Sequence, residues 1–112
     1  MKSLDWISVS MEEVEWKPSR HPGVRYRSLR FDRETGAGAM ILDMAPGTSY
    51  PAHVHTAGED VLILDGELII GSGRHGRGSY IYSPPGSTHA PRTEKGCRMF
   101  IVLPGKVEEI DR

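Results

Sequence analysis

The chain has 112 residues, within the usual size of one domain, so a single core is expected. Hydrophobic residues make up 38% and charged residues 26%, with 13 glycines and 8 prolines, which suits a turn-rich β fold and excludes a long-helix protein. Fourteen Lys and Arg against 15 Asp and Glu leave a net charge of −1, so no overall field recruits nucleic acid or acidic lipid.

The opening stretch MKSLDWISVSMEEVEW lacks the apolar core of a signal peptide, because Asp5, Glu12, Glu13 and Glu15 interrupt it. No run approaches the ~18 apolar residues of a membrane span, and a cytoplasmic location is expected. Residues 1–23, poor in strand signals and carrying Pro18 and Pro22 around KPSRHPG, are expected to form an N-terminal extension packed on a barrel built from 24–112. From Val24 the chain reads as strands: VRYRSLRF, AMILDM, VLILD, ELII, SYIY and RMFIVL, separated by ETGAG, APG, DG, GSGRHGRG, SPPGS and EKG. Such spacing describes an antiparallel sandwich or small barrel. Asp65-Gly66 between VLIL and ELII is expected to turn a tight hairpin, since glycine tolerates positive φ. Arg25, Arg27 and Arg30 alternate with Tyr26 and Leu29 and read as a solvated strand face. The single cysteine, Cys97, excludes an internal disulfide and reads as a small buried hydrophobe.

The chemistry is concentrated in PAHVHTAGEDVLILDG, residues 51–66. Two residues apart on a strand, His53 and His55 share one face and can share one ion. Glu59 adds negative charge that offsets the desolvation of a dication, and His89, in SPPGSTHAP, is a fourth candidate that only the fold can bring near. A solvent-facing His-x-His pair is the competing reading of the first two residues.

The surrounding pattern decides between them. The first block reads G-x5-H-x-H-x3-E-x6-G from Gly47 to Gly66, and the second G-x5-P-x-G-x2-H from Gly78 to His89. Both resemble the two motifs of the cupin superfamily, over roughly residues 38–104. The resemblance implies an all-β, single-domain double-stranded β-helix (jelly-roll) barrel that gathers His53, His55, Glu59 and His89 around one metal. One departure is Thr93, where the second motif usually has an Asn that is not a ligand. The stretch GRGSYIYSPPGSTHAPRTEKGC further resembles the ChrR-type cupins, a group that includes the metal-binding C-terminal domain of ChrR anti-sigma factors and relatives of acetylacetone dioxygenase.

The implied cofactor is one divalent transition metal: Fe, Zn, Mn, Ni or Co. Zinc would be saturated by four protein ligands, leaving a structural or sensory site, whereas an octahedral ion would keep two open positions. Two functions follow: a small metal-dependent enzyme of dioxygenase-like type acting on a small oxygenated organic molecule, or a non-catalytic sensory or regulatory module like the ChrR cupin domain. No catalytic residue beyond the ligands is distinguished. Tyr50, Tyr80, Tyr82, Met40, Met44, Met99 and Phe100 are candidates for a small apolar pocket wall, and Arg92 or Arg98 for holding a carboxylate. Glu67, after the DG turn, is expected to face solvent. His21 and His75 read as loop residues, and GSGRHGRG lacks the GK[ST] ending of a phosphate loop. Expected partners are a small-molecule ligand or substrate and a second copy in a homodimer, through edge strands or Trp6 and Trp16, with no nucleic acid and no membrane.

Overall fold

The computed structural model describes residues 5–109; residues 1–4 and 110–112, the outer ends of the expected extension and barrel, lie outside the described residues. A 3-10 turn at Met11–Glu13 precedes ten strands: β1 (Lys17–Pro18), β2 (Val24–Phe31), β3 (Gly38–Met44), β4 (His53–His55), β5 (Glu59–Ile70), β6 (Gly73–Gly76), β7 (Tyr80–Ser83), β8 (Ser87–His89), β9 (Cys97–Leu103) and β10 (Val107–Glu109). Among the described residues every strand pairing is antiparallel. The larger sheet runs β1-β2-β3-β9-β5, with β7 paired to the first half of β5 and β6 to the second, and the smaller sheet runs β10-β4-β8.

Strand alternation explains which side chains meet between the sheets. On β5, Val61 and Ile63 are buried while Leu62 is exposed; on β9, Cys97, Met99 and Ile101 are buried with Arg98 and Phe100 between them. With Val24, Met44 and Leu68 these residues form one core, each large apolar side chain contributing about 1.5–3 kcal/mol by leaving water. Cys97 belongs to it, its thiol pushed up to about 12 by burial and, less, by Asp43 and Asp65, so it behaves as an inert hydrophobe.

The hairpin expected at Asp65-Gly66 is not there. VLIL and ELII are halves of one strand, β5, which continues through both residues. Gly66 does adopt φ +82°, but at a register shift against β9 between Ile63 and Asp65, so its freedom serves a bulge rather than a reversal. The bend hands the strand from β7 to β6, and the reversal comes at Gly71-Ser72, between the paired Ile70 and Gly73. GSGRHGRG thereby contributes β6, and His75 sits on that strand opposite Leu68 rather than in a loop. Glu67 is not free in solvent either: Arg74 donates to its carboxylate at 2.9 Å.

The bulge is held from outside by the segment that carries Thr93. The buried Thr93 hydroxyl donates to the Glu67 carbonyl at 2.6 Å and accepts the Gly96 amide at 3.0 Å, while the Glu67 amide donates to the Gly96 carbonyl. The residue that departs from the motif is thus a backbone clamp. A Cβ at Gly66 would lie 2.1 Å from the Gly96 carbonyl oxygen, whereas one at Gly47, with φ +79°, meets nothing within 4 Å. Gly66→Ala is therefore expected to cost about 3 kcal/mol or more, from backbone conformation plus collision, and Gly47→Ala about 1 kcal/mol from conformation alone. Thermal unfolding of the two variants checks this, with Gly66→Ala expected to melt at least about 10 °C lower.

Candidate metal centre

The short strand β4 places His53 and His55 on its inner face, both buried, with Val54 between them. After His55 the chain reverses through Thr56, Ala57 and Gly58; the Gly58 amide returns to the His55 carbonyl at 3.1 Å and Gly58 takes φ +87°. This three-residue reversal carries the chain from the smaller sheet to the larger, so Glu59 starts β5 facing the histidines: the spacing H-x3-E is the length of that turn. On the other flank Pro84-Pro85-Gly86 turns the chain, with Ser87 N bonded to the Pro84 carbonyl and Gly86 N to the His55 carbonyl at 2.8 Å. The resulting β8 pairs with β4 so that His89 stands directly opposite His53.

The three histidines form one group, and Glu59 lies beside two of them. The His55 and His89 Nε2 atoms are 3.0 Å apart, and Glu59 Oε1 lies 3.3 Å from the first and 3.8 Å from the second. One donor nitrogen from each of His53, His55 and His89 falls within 4.8 Å of the other two, a grouping that could hold a metal ion. His53 Nδ1 lies 2.8 Å from the Pro51 carbonyl, which can only accept, so that nitrogen carries the proton and Nε2 keeps its lone pair. For bonds of about 2.1 Å, neighbouring donors around one ion sit about 3.0 Å apart at right angles and about 3.4 Å apart in a tetrahedron. The His55–His89 and His55–Glu59 separations fall in that range, while the His89–Glu59 separation of 3.8 Å lies beyond it.

Burial sets the electrostatics of the group. Burial, then the charges of His53 and His89, would penalise a proton on His55 and holds it down to about 4; burial, then His53, holds His89 at about 4 as well. Burial, then Asp60, pushes Glu59 up to about 7. Although His55 and Glu59 are close enough for an ion pair, desolvation opposes both charges, and the neutral pair is the form favoured without a cation. His55 Nδ1 and the hydroxyl of its cross-strand neighbour Ser87 are buried without a hydrogen-bond partner.

The cluster is the polar end of a cavity of about 210 Å³ between the sheets. Met40, Met44, Tyr50 and Met99 line it as expected, together with Val61, Leu68, Ile81, Ile101 and Leu103, which the sequence reading missed. Tyr80, Tyr82 and Phe100 do not line it: alternation turns them outward while Ile81, Met99 and Ile101 point in. Starting the count from an inward Glu59 gives Val61 and Ile63 the inner face, a signal that was available in the sequence. Arg92 and Arg98 also stay outside, Arg98 bonded to Asp43 at 3.2 Å and Arg92 3.6 Å from Glu94. His21 and His75 do not join the imidazole group; the His21 ring meets the edge of Tyr50 at 4.6 Å.

Known structures share this architecture. A protein of Methylibium petroleiphilum PM1, provisionally described as an acetylacetone dioxygenase, superposes with a TM-score of 0.89 at 20% identity, over 99% of this chain and 85% of that one. The acetylacetone dioxygenase of Acinetobacter johnsonii gives 0.80 at 17% identity, over 99% and 80%. ChrR of Rhodobacter sphaeroides, an anti-sigma solved in complex with SigE, gives 0.71 at 27% identity over 84% of this chain and 51% of that one, so the chain spans about half of that protein. No curated protein sequence is significantly similar. The family of the ChrR Cupin-like domain matches residues 5–107, nearly the whole chain, and with the jelly-roll sheets and the clustered histidines this makes the protein a member of the ChrR cupin-like family.

Proposed function

We propose that His53, His55, Glu59 and His89 hold one divalent transition metal, and that the protein is a small metal-dependent enzyme of dioxygenase-like type acting on a compact, neutral, oxygenated organic molecule. The observation that carries this reading is the cavity: its polar end is the imidazole and carboxylate cluster, and no lysine or arginine is among its lining residues. A carboxylate or phosphate entering it would find no protein counter-charge, whereas an apolar body with oxygen donors at one end matches both ends of the space. At about 210 Å³ the cavity has the volume of roughly seven liquid waters, which limits the ligand to a small molecule. A bound ion of this type supplies a Lewis acid and, where it is iron, a site for dioxygen. The protein's own part is to hold the imidazole tautomers, keep Glu59 desolvated and surround the reacting end with apolar walls.

The likeness to ChrR, higher in sequence identity than that to the acetylacetone dioxygenase of Acinetobacter johnsonii, favours a second reading in which the same centre is a sensory or regulatory module without turnover. Elemental analysis followed by oxygen uptake in the iron-loaded protein separates the two. The enzyme reading expects about one ion per chain and oxygen consumption with a small neutral diketone but not with a dicarboxylate of similar size. Tightly held zinc, with no uptake after exchange for iron, would instead support the module. Alanine at His53, His55 or His89 is expected to abolish stoichiometric metal in either case, with His21→Ala and His75→Ala as unaffected controls.

Proton linkage gives a second check. Without metal, Glu59 titrates near 7 in the fold and near 4.5 unfolded, so its protonated form favours the folded state between those values. His55 and His89, near 4 folded and 6.5 unfolded, act oppositely, and two imidazoles outweigh one carboxyl: metal-free stability should fall as pH drops from about 6.5 to 4. A cation requires the carboxylate and unprotonated imidazoles, so below pH 7 its binding should release at least one proton, and affinity should weaken by about tenfold or more per pH unit as the pH falls from 7 to 4. Calorimetry in buffers of different ionisation enthalpy reads that proton, and Glu59→Gln should remove it. Equal release in the wild type and Glu59→Gln would contradict the assignment of Glu59.

A further inference from the structure

Three buried side-chain polar atoms have no hydrogen-bond partner among the described residues: Arg27 Nε, His55 Nδ1 and the Ser87 hydroxyl oxygen. Arg27 has other cover, its guanidinium carbon lying 4.2 Å from the centre of the Trp16 ring, which attracts the cation. The remaining two belong to residues that stand directly opposite each other across β4 and β8. Alternation puts both on the same side: His53 and His55 are buried on β4, Ser87 and His89 are partly buried on β8, and Thr88 between them is exposed. Opposed side chains on one face have Cβ atoms about 5 Å apart, so a serine hydroxyl, placed by a single torsion, reaches Nδ1, the ring nitrogen nearer the backbone. A buried polar group left unpaired forfeits its hydration without return, and pairing these two relieves both at once.

We infer that Ser87 is the positioning residue of His55: its hydroxyl pairs with Nδ1 and so aims Nε2 at the cluster. His53 has a comparable support in the Pro51 carbonyl, 2.8 Å from its Nδ1, but a carbonyl only accepts and so admits one tautomer. A hydroxyl both donates and accepts. The His55 and His89 Nε2 atoms are 3.0 Å apart, so between two neutral rings one of them carries the shared hydrogen. Where His55 Nε2 carries it, Nδ1 is a lone pair and the Ser87 hydroxyl donates. Where Nε2 offers its lone pair, as a ligand must, the one ring proton is on Nδ1 and the hydroxyl accepts. Ser87 thereby supports His55 in both tautomers, a change that a carbonyl could not follow. The inference rests on the reading of the histidine group as a metal site.

The test is zinc affinity, measured by competition with a chromogenic chelator, on the full chain and on Ser87→Ala, Ser87→Thr and Thr88→Ala. Ser87→Ala should bind zinc about tenfold or more weakly, and Ser87→Thr, which keeps the hydroxyl, within about threefold of the wild type. Thr88→Ala removes a hydroxyl from the outer side of the same strand and should leave the affinity unchanged. Nuclear magnetic resonance of the zinc-loaded protein with isotope-labelled histidine reads the bond itself: the His55 Nδ1–H proton should resonate downfield in the wild type and in Ser87→Thr, and move upfield in Ser87→Ala. A merely structural serine would change the melting temperature and leave that resonance in place. Wild-type zinc affinity in Ser87→Ala, an unmoved Nδ1–H resonance, or an equal loss of affinity in Thr88→Ala would each overturn the inference while zinc binding by the wild type stands. A wild-type chain that takes up no zinc would remove the metal reading and this inference together. Should Ser87→Ala fail to fold, Ser87→Cys, a weak donor of similar size, provides the same comparison.

Discussion

Three imidazoles face one another at one end of an apolar cavity, with the Glu59 carboxyl beside two of them, and the rest of the architecture is arranged around that fact. Neutral rings can share one hydrogen bond across the 3.0 Å between His55 and His89 Nε2, and burial disfavours the charged forms of both histidines and of Glu59. The fold nevertheless keeps them together. It does so by pairing β4 with β8, which sets His53 opposite His89, and by two reversals, one ending at Gly58 and one turning through Pro84 to Gly86, that fix where Glu59 and His89 enter. Under the proposed reading, a dication would replace the water that each group has lost.

One rule of alternation governs both faces of the larger sheet. On the inside it delivers Met40, Met44, Val61 and Met99 to the cavity; on the outside it delivers Arg25 and Arg98 to Trp16 and Asp43, and Leu62 and Tyr80 to an uncovered edge. The inner face is therefore largely apolar, with its charged and imidazole groups confined to the cluster. Arg25 and Arg98 are engaged outside the cavity, on Trp16 and Asp43, and the polar side chains of the cavity lining are the imidazoles, Glu59 and Tyr50.

Much of this was legible in the sequence. The motif spacing encodes turn lengths, and turn lengths decide which side chains meet, so the grouping of His53, His55 and His89 was legible before any coordinates, and Glu59, named with them, lies beside His55 and His89. What was not legible depends on partners distant along the chain. Gly66 advertises a positive φ, but whether that makes a hairpin or a bulge is decided by β9, which continues to pair past Ile63 and reaches Gly66 through Cys97. Tyr80, Tyr82 and Phe100 are aromatic enough for a pocket wall, yet their parity turns them outward, and composition carries no parity. Thr93 looked like a loss from the motif, whereas its hydroxyl ties the bulge to the following loop.

The claim on which the account turns is that four side chains from two sheets bind one ion directly. X-ray absorption fine structure of the protein loaded with a single equivalent of a first-row dication reads the donor shell itself. The predicted spectrum shows only nitrogen and oxygen donors at about 2.1 Å with the outer-shell scattering of about three imidazoles. A shell containing sulfur, or one of oxygens without imidazole scattering, would contradict it.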